Sequence, residues 1–327
     1  MNYYNFESVD ITRFIEEYRG KKLEDIFRNN NIISNGMGKF MELTWEDSEI
    51  SCNVNLSMAK KKVLRNLKTV YFIGENIEKQ LYRRGVRNLY DLKFHLRYRN
   101  SVMNLLNLIK QKNYSKLREN RYVYDIDVSF CFDKEDLLFL DIETLGIYDS
   151  PIIIIGFGFF RNNKFEIKIL FARELEEEIA ICEYFKSKIL PKYKCFVTYN
   201  GKSFDIPYLA NRFLYFFDEN PMISEDDVPF EKSNTIYHHI DLYHNCRRRY
   251  KGLFNNYTLT NMEESLLGLK RQNELPSNLV GFYYRKYLKD RKRYIGLIKE
   301  IIEHNYYDVY SMPLILEKLL IEKLSIQ

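Results

Sequence analysis

The chain has 327 residues, of which 46% are hydrophobic and 29% charged, values typical of folded domains rather than disordered or fibrous chains. Its five cysteines are scattered without a Cys-x-x-Cys pair, which argues against a zinc ribbon or a disulfide framework and favours a reducing cytoplasm. We expect no signal peptide in residues 1–19, and the longest apolar run, 152–160, is too short to cross a membrane as a helix.

The charge is unevenly distributed. The formal net charge is +5, but residues 51–120 contain 16 Lys or Arg and four Asp or Glu, a net of +12, so the remainder carries −7. This asymmetry predicts a module that binds a polyanion beside a domain that binds cations. From the length and the change of pattern we predict two domains, residues 1–130 and 131–327.

The N-terminal region is predicted to be mainly helical. A helical pattern covers residues 11–28, and two apolar runs around a glycine-rich turn in 31–43 predict a β-hairpin. Residues 60–110 predict several short helices. We predict that basic side chains of this region contact nucleic acid, the candidates being Lys61, Lys62, Arg83 and Arg84. A plain helical bundle with solvated Lys and Arg side chains is the alternative.

From residue 133 strands alternate with helices. Apolar runs at 137–142, 152–160 and 165–171 are joined by short links, so these strands should be antiparallel neighbours. An amphipathic helix then ends at Pro191, and the strand at 194–199 should lie parallel to an earlier one. The pattern predicts an α/β fold, a mixed sheet flanked by helices.

Two carboxylates close the first of these strands. Asp141 and Glu143 follow an apolar run and are two residues apart, so they project from the same face of the sheet. Such a pair needs a countercharge, and a divalent cation supplies one. The alternative is an ordinary solvated strand end.

Two later stretches carry further candidates. Asp205 follows the turn pair Asn200-Gly201 and opens a helix, where it is either a functional carboxylate or simply the N-cap. His304 and Asp308 are spaced i, i+4 in a late helix and share a face. They form either a site or a polar helix face in which the two residues bond to each other.

Together these stretches resemble a known family. Asp-Ile-Glu-Thr at 141–144, Tyr-Asn-Gly-Lys-Ser-Phe-Asp-Ile-Pro at 199–207 and His-Asn-x-x-Asp at 304–308 occur in this order. They resemble the DEDD exonucleases of the RNase H-like superfamily, and most closely the YprB-like family, over residues 136–315. The region 71–92 resembles a helix-hairpin-helix element, although Phe72 occupies the position of the first of its two usual glycines.

The resemblance implies a function and a set of ligands. Asp141, Glu143, Asp205 and Asp308 are implied as ligands of two Mg²⁺ or Mn²⁺ ions. His304 is implied as a proton acceptor, although the superfamily has Tyr four residues or His five residues before the last Asp. The implied activity is 3′→5′ exonucleolytic hydrolysis of single-stranded DNA or RNA. A catalytically inactive RNase H-like protein that only binds nucleic acid is the alternative.

Four further residues are candidates for substrate contact. Asn200 and Lys202 precede Asp205 and are placed to touch a phosphate or a terminal base, although Asn200 also suits a turn. Arg247 and Arg248 belong to a basic cluster that either holds the incoming strand or is a solvated helix face.

A histidine cluster near Asp241 does not predict a transition-metal site. His238 and His239 are adjacent in a predicted strand and therefore point to opposite faces. The resemblance to the family implies that Asp241 is a structural carboxylate near the site.

Overall fold

A computed structural model describes residues 11–46, 52–222, 237–271 and 276–321. Seven strands form one sheet in these residues: β1 (Asn30–Asn35), β2 (Gly38–Trp45), β3 (Leu137–Thr144), β4 (Ile152–Arg161), β5 (Lys164–Phe171), β6 (Cys195–Thr198) and β7 (His238–Asp241). Their order across the sheet is β1-β2-β5-β4-β3-β6-β7. The strands predicted from the apolar runs are all present.

The sheet is mixed, as the sequence predicts. β3, β4 and β5 are antiparallel neighbours, whereas β6 pairs with β3, and β7 with β6, in parallel. Every residue of β4 except its last is buried, because helices cover both faces of the sheet. β3 lies between β4 and β6, so the carboxyl end of β3 lies in the interior of the sheet and not at an edge strand.

The helices complete the layers. They are α1 (Thr12–Tyr18), α2 (Leu23–Ile26), α3 (Ser57–Arg65), α4 (Glu75–Arg83), α5 (Arg99–Lys110), α6 (Tyr114–Arg118), α7 (Glu178–Tyr184), α8 (Asp205–Phe217), α9 (Leu242–Arg249), α10 (Leu259–Met262), α11 (Val280–Lys289) and α12 (Arg291–Leu320). One apolar core joins α7 and α8 to the sheet, and a second joins α1, α11 and α12 to it. No helix of the described residues is long and apolar enough to span a membrane.

The N-terminal segment contributes to the sheet. Residues 11–28 form two short helices, α1 and α2, and Gly20 lies between them with φ +79°, a backbone conformation that ends the first helix. The predicted hairpin is confirmed as β1 and β2, and β2 pairs with β5. The hairpin precedes the predicted domain boundary at 130, yet it extends the sheet. The boundary itself stays a prediction.

The basic region is built from short helices. α3 to α6 and several 3-10 turns share a core that reaches the C-terminal end of α12 through Leu316 and Leu319. The helix-hairpin-helix assignment is not confirmed. The segment before its turn is a three-residue 3-10 helix, Leu67–Thr69, and the one after α4 is another short 3-10 segment, Asp91–Phe94.

Candidate metal centre

The end of β3 provides the first two carboxylates. Asp141 is half-buried and Glu143 is buried, and the alternation of the strand puts both on one face. The register with β4 shifts between Glu143 and Thr144, which ends the regular pairing at the site. Both side chains therefore lie where the sheet opens.

Asp205 ties the start of α8 to this strand. It is the first residue of the helix and is 4% exposed. Its Oδ1 accepts a hydrogen bond from the backbone N–H of Ile142, 3.0 Å away, between the two β3 carboxylates. The N-cap position belongs to Phe204, so Asp205 does not serve as the N-cap residue.

α12 supplies the last pair. His304 and Asp308 share a face of this helix, and His304 Nε2 lies 3.5 Å from Asp308 Oδ2 and 3.8 Å from Glu143 Oε1. Ligand atoms of Glu143, His304 and Asp308 all lie within 4.8 Å of one another. The structure thus brings the predicted residues of β3, α8 and α12 together at one place.

Asn305 is a member of the site that the sequence did not reveal. Its Nδ2 donates a hydrogen bond to Asp141 Oδ2 at 2.7 Å. It fits because Gly156, the partner of Asp141 on β4, has no side chain: a Cβ there would lie 1.8 Å from Asn305 Oδ1. A glycine within an apolar strand often marks such a close approach, and this was the available signal.

Arg271 was also missed. Its side chain is only 6% exposed. Nε donates a hydrogen bond to Glu263 Oε2 at 2.7 Å. Nη2 donates to the other Glu263 oxygen, Oε1, and also to Asp308 Oδ1. Glu263 is itself 1% exposed. Arg271 follows the π-helical turn Glu263–Leu267 by four residues, and no periodic pattern connects it to the carboxylates.

The carboxylates repel one another strongly. Burial raises the pKa of both Asp141 and Glu143 well above the ordinary value, and Asp308 and Asp205 raise them further. The pKa of Asp205 rises to about 7, chiefly through burial and with contributions from Asp241 and Asp308. When ionised, the carboxylates therefore carry more negative charge than the single positive charge of Arg271 can balance.

This donor set fits a hard divalent cation. Carboxylate oxygens crowded at a partly open strand end are the ligands that Mg²⁺ and Mn²⁺ prefer. Their raised pKa values indicate that a cation bound here would stabilise the ionised forms. His238 and His239 have other partners, the carbonyl of Asp125 and the hydroxyl of Thr198.

Two predicted substrate contacts pair with one buried carboxylate. Lys202 and Arg248 both donate to Asp125, which is 4% exposed. Burial alone would raise the pKa of Asp125, but Lys202 and the surrounding donors lower it below its usual range. These ion pairs connect the segment before β3 to α9 and to the turn before α8.

The turn before α8 is fixed by Asp241. Its carboxylate accepts the backbone N–H groups of Asn200 and Lys202 at 3.0 and 3.1 Å. Asn200 has φ +66°, a conformation that asparagine tolerates. Asp241 therefore has the structural role that the resemblance implies, and Asn200 lies exposed at the tip of the turn.

The remaining basic candidates are exposed residues that are distant in sequence from the carboxylates. Arg247 is exposed beside the ring of Tyr243, and Lys62 pairs with the buried Asp127. The side chains of three further candidates are exposed: Lys61, Arg83 and Arg84. Their role in binding stays a prediction.

Comparisons with known proteins identify the family of the chain. A family model described as the RNase H superfamily matches residues 138–320, more than half of the chain, so the chain belongs to the RNase H superfamily and has a nuclease-like domain. The chain is also 27% identical over 184 residues to the uncharacterized protein YprB of Bacillus subtilis (strain 168). The match covers 55% of this chain and 41% of that protein, so the chain spans about two fifths of the length of its relative. The predicted resemblance to the YprB-like family is confirmed.

Proposed function

We propose that the chain is a metal-dependent 3′→5′ exonuclease that hydrolyses phosphodiester bonds of single-stranded DNA or RNA. The observation that carries the proposal is the convergence of Asp141, Glu143, Asp205 and Asp308 from three separate elements. Superfamily membership favours a nuclease-like domain, and four carboxylates with one nearby arginine leave negative charge for cations to balance.

The four carboxylates would hold two Mg²⁺ or Mn²⁺ ions. Bound ions of this kind activate a water molecule and stabilise the leaving oxygen of a phosphodiester. Asn305 fixes one oxygen of Asp141 by its hydrogen bond, and Arg271 fixes one oxygen of Asp308. These contacts limit the rotation of both carboxylates before a substrate arrives.

His304 is the proposed proton acceptor. Its Nδ1 faces the guanidinium of Arg271 at 3.5 Å, a group that has donors but no lone pair. Nδ1 therefore keeps its lone pair, and the neutral ring carries its hydrogen on Nε2, which faces Glu143 and Asp308. Nε2 would take up a proton from water only after passing its own proton to one of these carboxylates. Because the ring is 8% exposed, only a proton donor within the cleft can reach it.

A degradation assay tests the proposal. Single-stranded DNA and RNA of one sequence, labelled at the 5′ end, are incubated with the protein in Mg²⁺, in Mn²⁺ and in EDTA. Asp141→Asn and Asp308→Asn remove one charge each from the centre. Asp218→Asn removes an exposed carboxylate at the opposite end of α8 and is the matched control.

We expect a metal-dependent ladder that shortens from the 3′ end, with rates at least a hundredfold lower in the two site variants and unchanged in the control. The preferred sugar follows from comparing the two substrates. Intact substrate in every condition, together with retained binding, would contradict the proposal and favour an inactive nucleic-acid-binding protein.

A further inference from the structure

A turn in the basic region has an unusual residue at its third position. Residues 70–73 form the turn, which we call the aromatic turn, closed by a hydrogen bond from the N–H of Ile73 to the carbonyl of Val70 at 3.1 Å. Phe72 has φ +67°, a conformation that favours glycine at this position of a turn. Holding a bulky residue there costs on the order of 1–3 kcal/mol.

Packing in the protein core does not explain this aromatic residue. Phe72 is 66% exposed and Tyr71 is 71% exposed, whereas Val70 and Ile73 on either side are each 2% exposed. The two exposed rings contact each other with centroids 4.1 Å apart. The turn is therefore anchored by its ends and presents two aromatic rings to solvent.

Cations surround these rings. The guanidinium of Arg97 lies 6.0 Å from the Phe72 ring. A groove beside the turn is lined by Lys68, Tyr71, Phe72, Lys116, Glu119, Arg121 and Tyr122. Lys116 pairs with Glu119, and Lys68 lies 3.9 Å from Glu78, so Arg97 and Arg121 supply the excess positive charge. Asn120 joins its two walls by donating to the carbonyl of Thr69 at 2.6 Å. The region as a whole, residues 51–120, carries a net charge of +12.

We propose that this groove binds single-stranded nucleic acid, with bases stacked on Tyr71 and Phe72 and phosphates held by the surrounding Lys and Arg side chains. Exposed rings within a cationic groove suit unpaired bases, because every base offers a stacking face and every linkage a charge. Net positive charge around both rings argues against an apolar protein surface as the occupant.

The groove is distant from the carboxylates. α12 runs from Asp308 at the centre to Leu319, which lines a hollow together with Lys68 of the groove, a span of about 17 Å at the rise of an α-helix. The inference thus extends the proposed function and rests on it only for the direction of the strand. The contribution of the groove to substrate affinity should depend on substrate length, because a dinucleotide is too short to reach both the groove and the carboxylates.

The test compares binding with stability. Phe72→Gly restores the residue that the backbone favours, and Tyr71→Ser removes the second ring. Tyr215→Ser is the control, since Tyr215 is 73% exposed on α8. Fluorescence anisotropy with a labelled 20-residue oligothymidylate in EDTA measures affinity without cleavage, and thermal unfolding measures stability.

We expect Phe72→Gly to unfold at the same or a higher temperature than the native chain while its affinity for the oligonucleotide falls about fivefold or more. Tyr71→Ser should weaken binding similarly, and Tyr215→Ser should not. An abasic oligonucleotide, which keeps the phosphates, should bind the native chain and Phe72→Gly equally. Unchanged affinity in both groove variants, or an equal loss with the abasic strand, would overturn the proposal.

Hydrolysis of a small chromogenic phosphodiester separates this inference from the proposed function. It should be unchanged in Phe72→Gly, since that substrate does not reach the groove. Phe72-dependent binding without any hydrolysis would support binding at the groove and contradict the exonuclease proposal. Hydrolysis together with binding that does not depend on Phe72 would support the exonuclease proposal and contradict binding at the groove.

Discussion

Asp308 shares its two oxygens between different partners. Oδ1 accepts from Arg271, and Oδ2 faces His304. Arg271 in turn is held by the almost fully buried Glu263. A buried arginine between two carboxylates stabilises both, and its removal would leave their charges uncompensated.

Arg271→Gln should therefore lower the free energy of unfolding by about 3–5 kcal/mol. Urea denaturation in EDTA measures the change without interference from metal. Arg247→Gln is the matched control, because Arg247 is exposed, and it should change stability by less than about 0.5 kcal/mol. Equal stability of the two variants would mean that the buried ion pairs contribute nothing.

At the residue scale the sequence predicted which carboxylates lie together in the structure, but not the residues that pair with them. Asp141 and Glu143 were predictable because strand alternation fixes their face, and His304 and Asp308 because helical spacing does. Arg271 reaches Asp308 from outside any periodic element, so only tertiary packing brings them together. Lys202 was predictable as a residue near Asp205, but its pairing with Asp125 involves a segment 77 residues earlier.

The contact between β4 and α12 depends on two glycines. Gly156 makes room for Asn305, and a Cβ at Gly158 would lie 2.3 Å from Phe165 Cζ and 2.9 Å from Val309 Cγ1. Both positions lie on the strand that neighbours β3. The glycines allow the helix that carries His304 and Asp308 to approach the sheet.

Gly156→Ala should displace Asn305 and shift this helix. We expect a loss of about 1–3 kcal/mol of stability from overpacking, together with weaker Mn²⁺ binding because Asp141 loses its hydrogen bond. Chemical denaturation and metal titration of the variant measure the two effects. Gly36→Ala, where a new Cβ meets nothing within 4 Å, should change neither; similar behaviour of both variants would refute the role given to Gly156.

At the scale of elements, local pairings were predictable and a distant one was not. Short links between β3, β4 and β5 leave antiparallel pairing as the simple solution, and the helix before β6 requires a parallel crossover. The pairing of β2 with β5 joins residues more than 120 positions apart. No turn length constrains it, so the hairpin was predicted but its place in the sheet was not.

The whole molecule separates its charges. The acidic centre lies at the end of β3, while the basic residues of 51–120 surround the helical region near the far end of α12. The uneven charge distribution was visible in the sequence. The arrangement favours a strand that is held at one place and cut at another, which is the account proposed for this chain.

The measurement that tests the metal centre most directly is calorimetric titration of the chain with Mn²⁺. We predict saturable binding of two ions, abolished or greatly weakened in Asp141→Asn. Because the pKa of Asp205 is raised to about 7, this proposed ligand is largely protonated at pH 6 and ionised at pH 8. Affinity should therefore rise between these values as protons cease to compete. Absent binding, or equal binding by Asp141→Asn, would contradict the account.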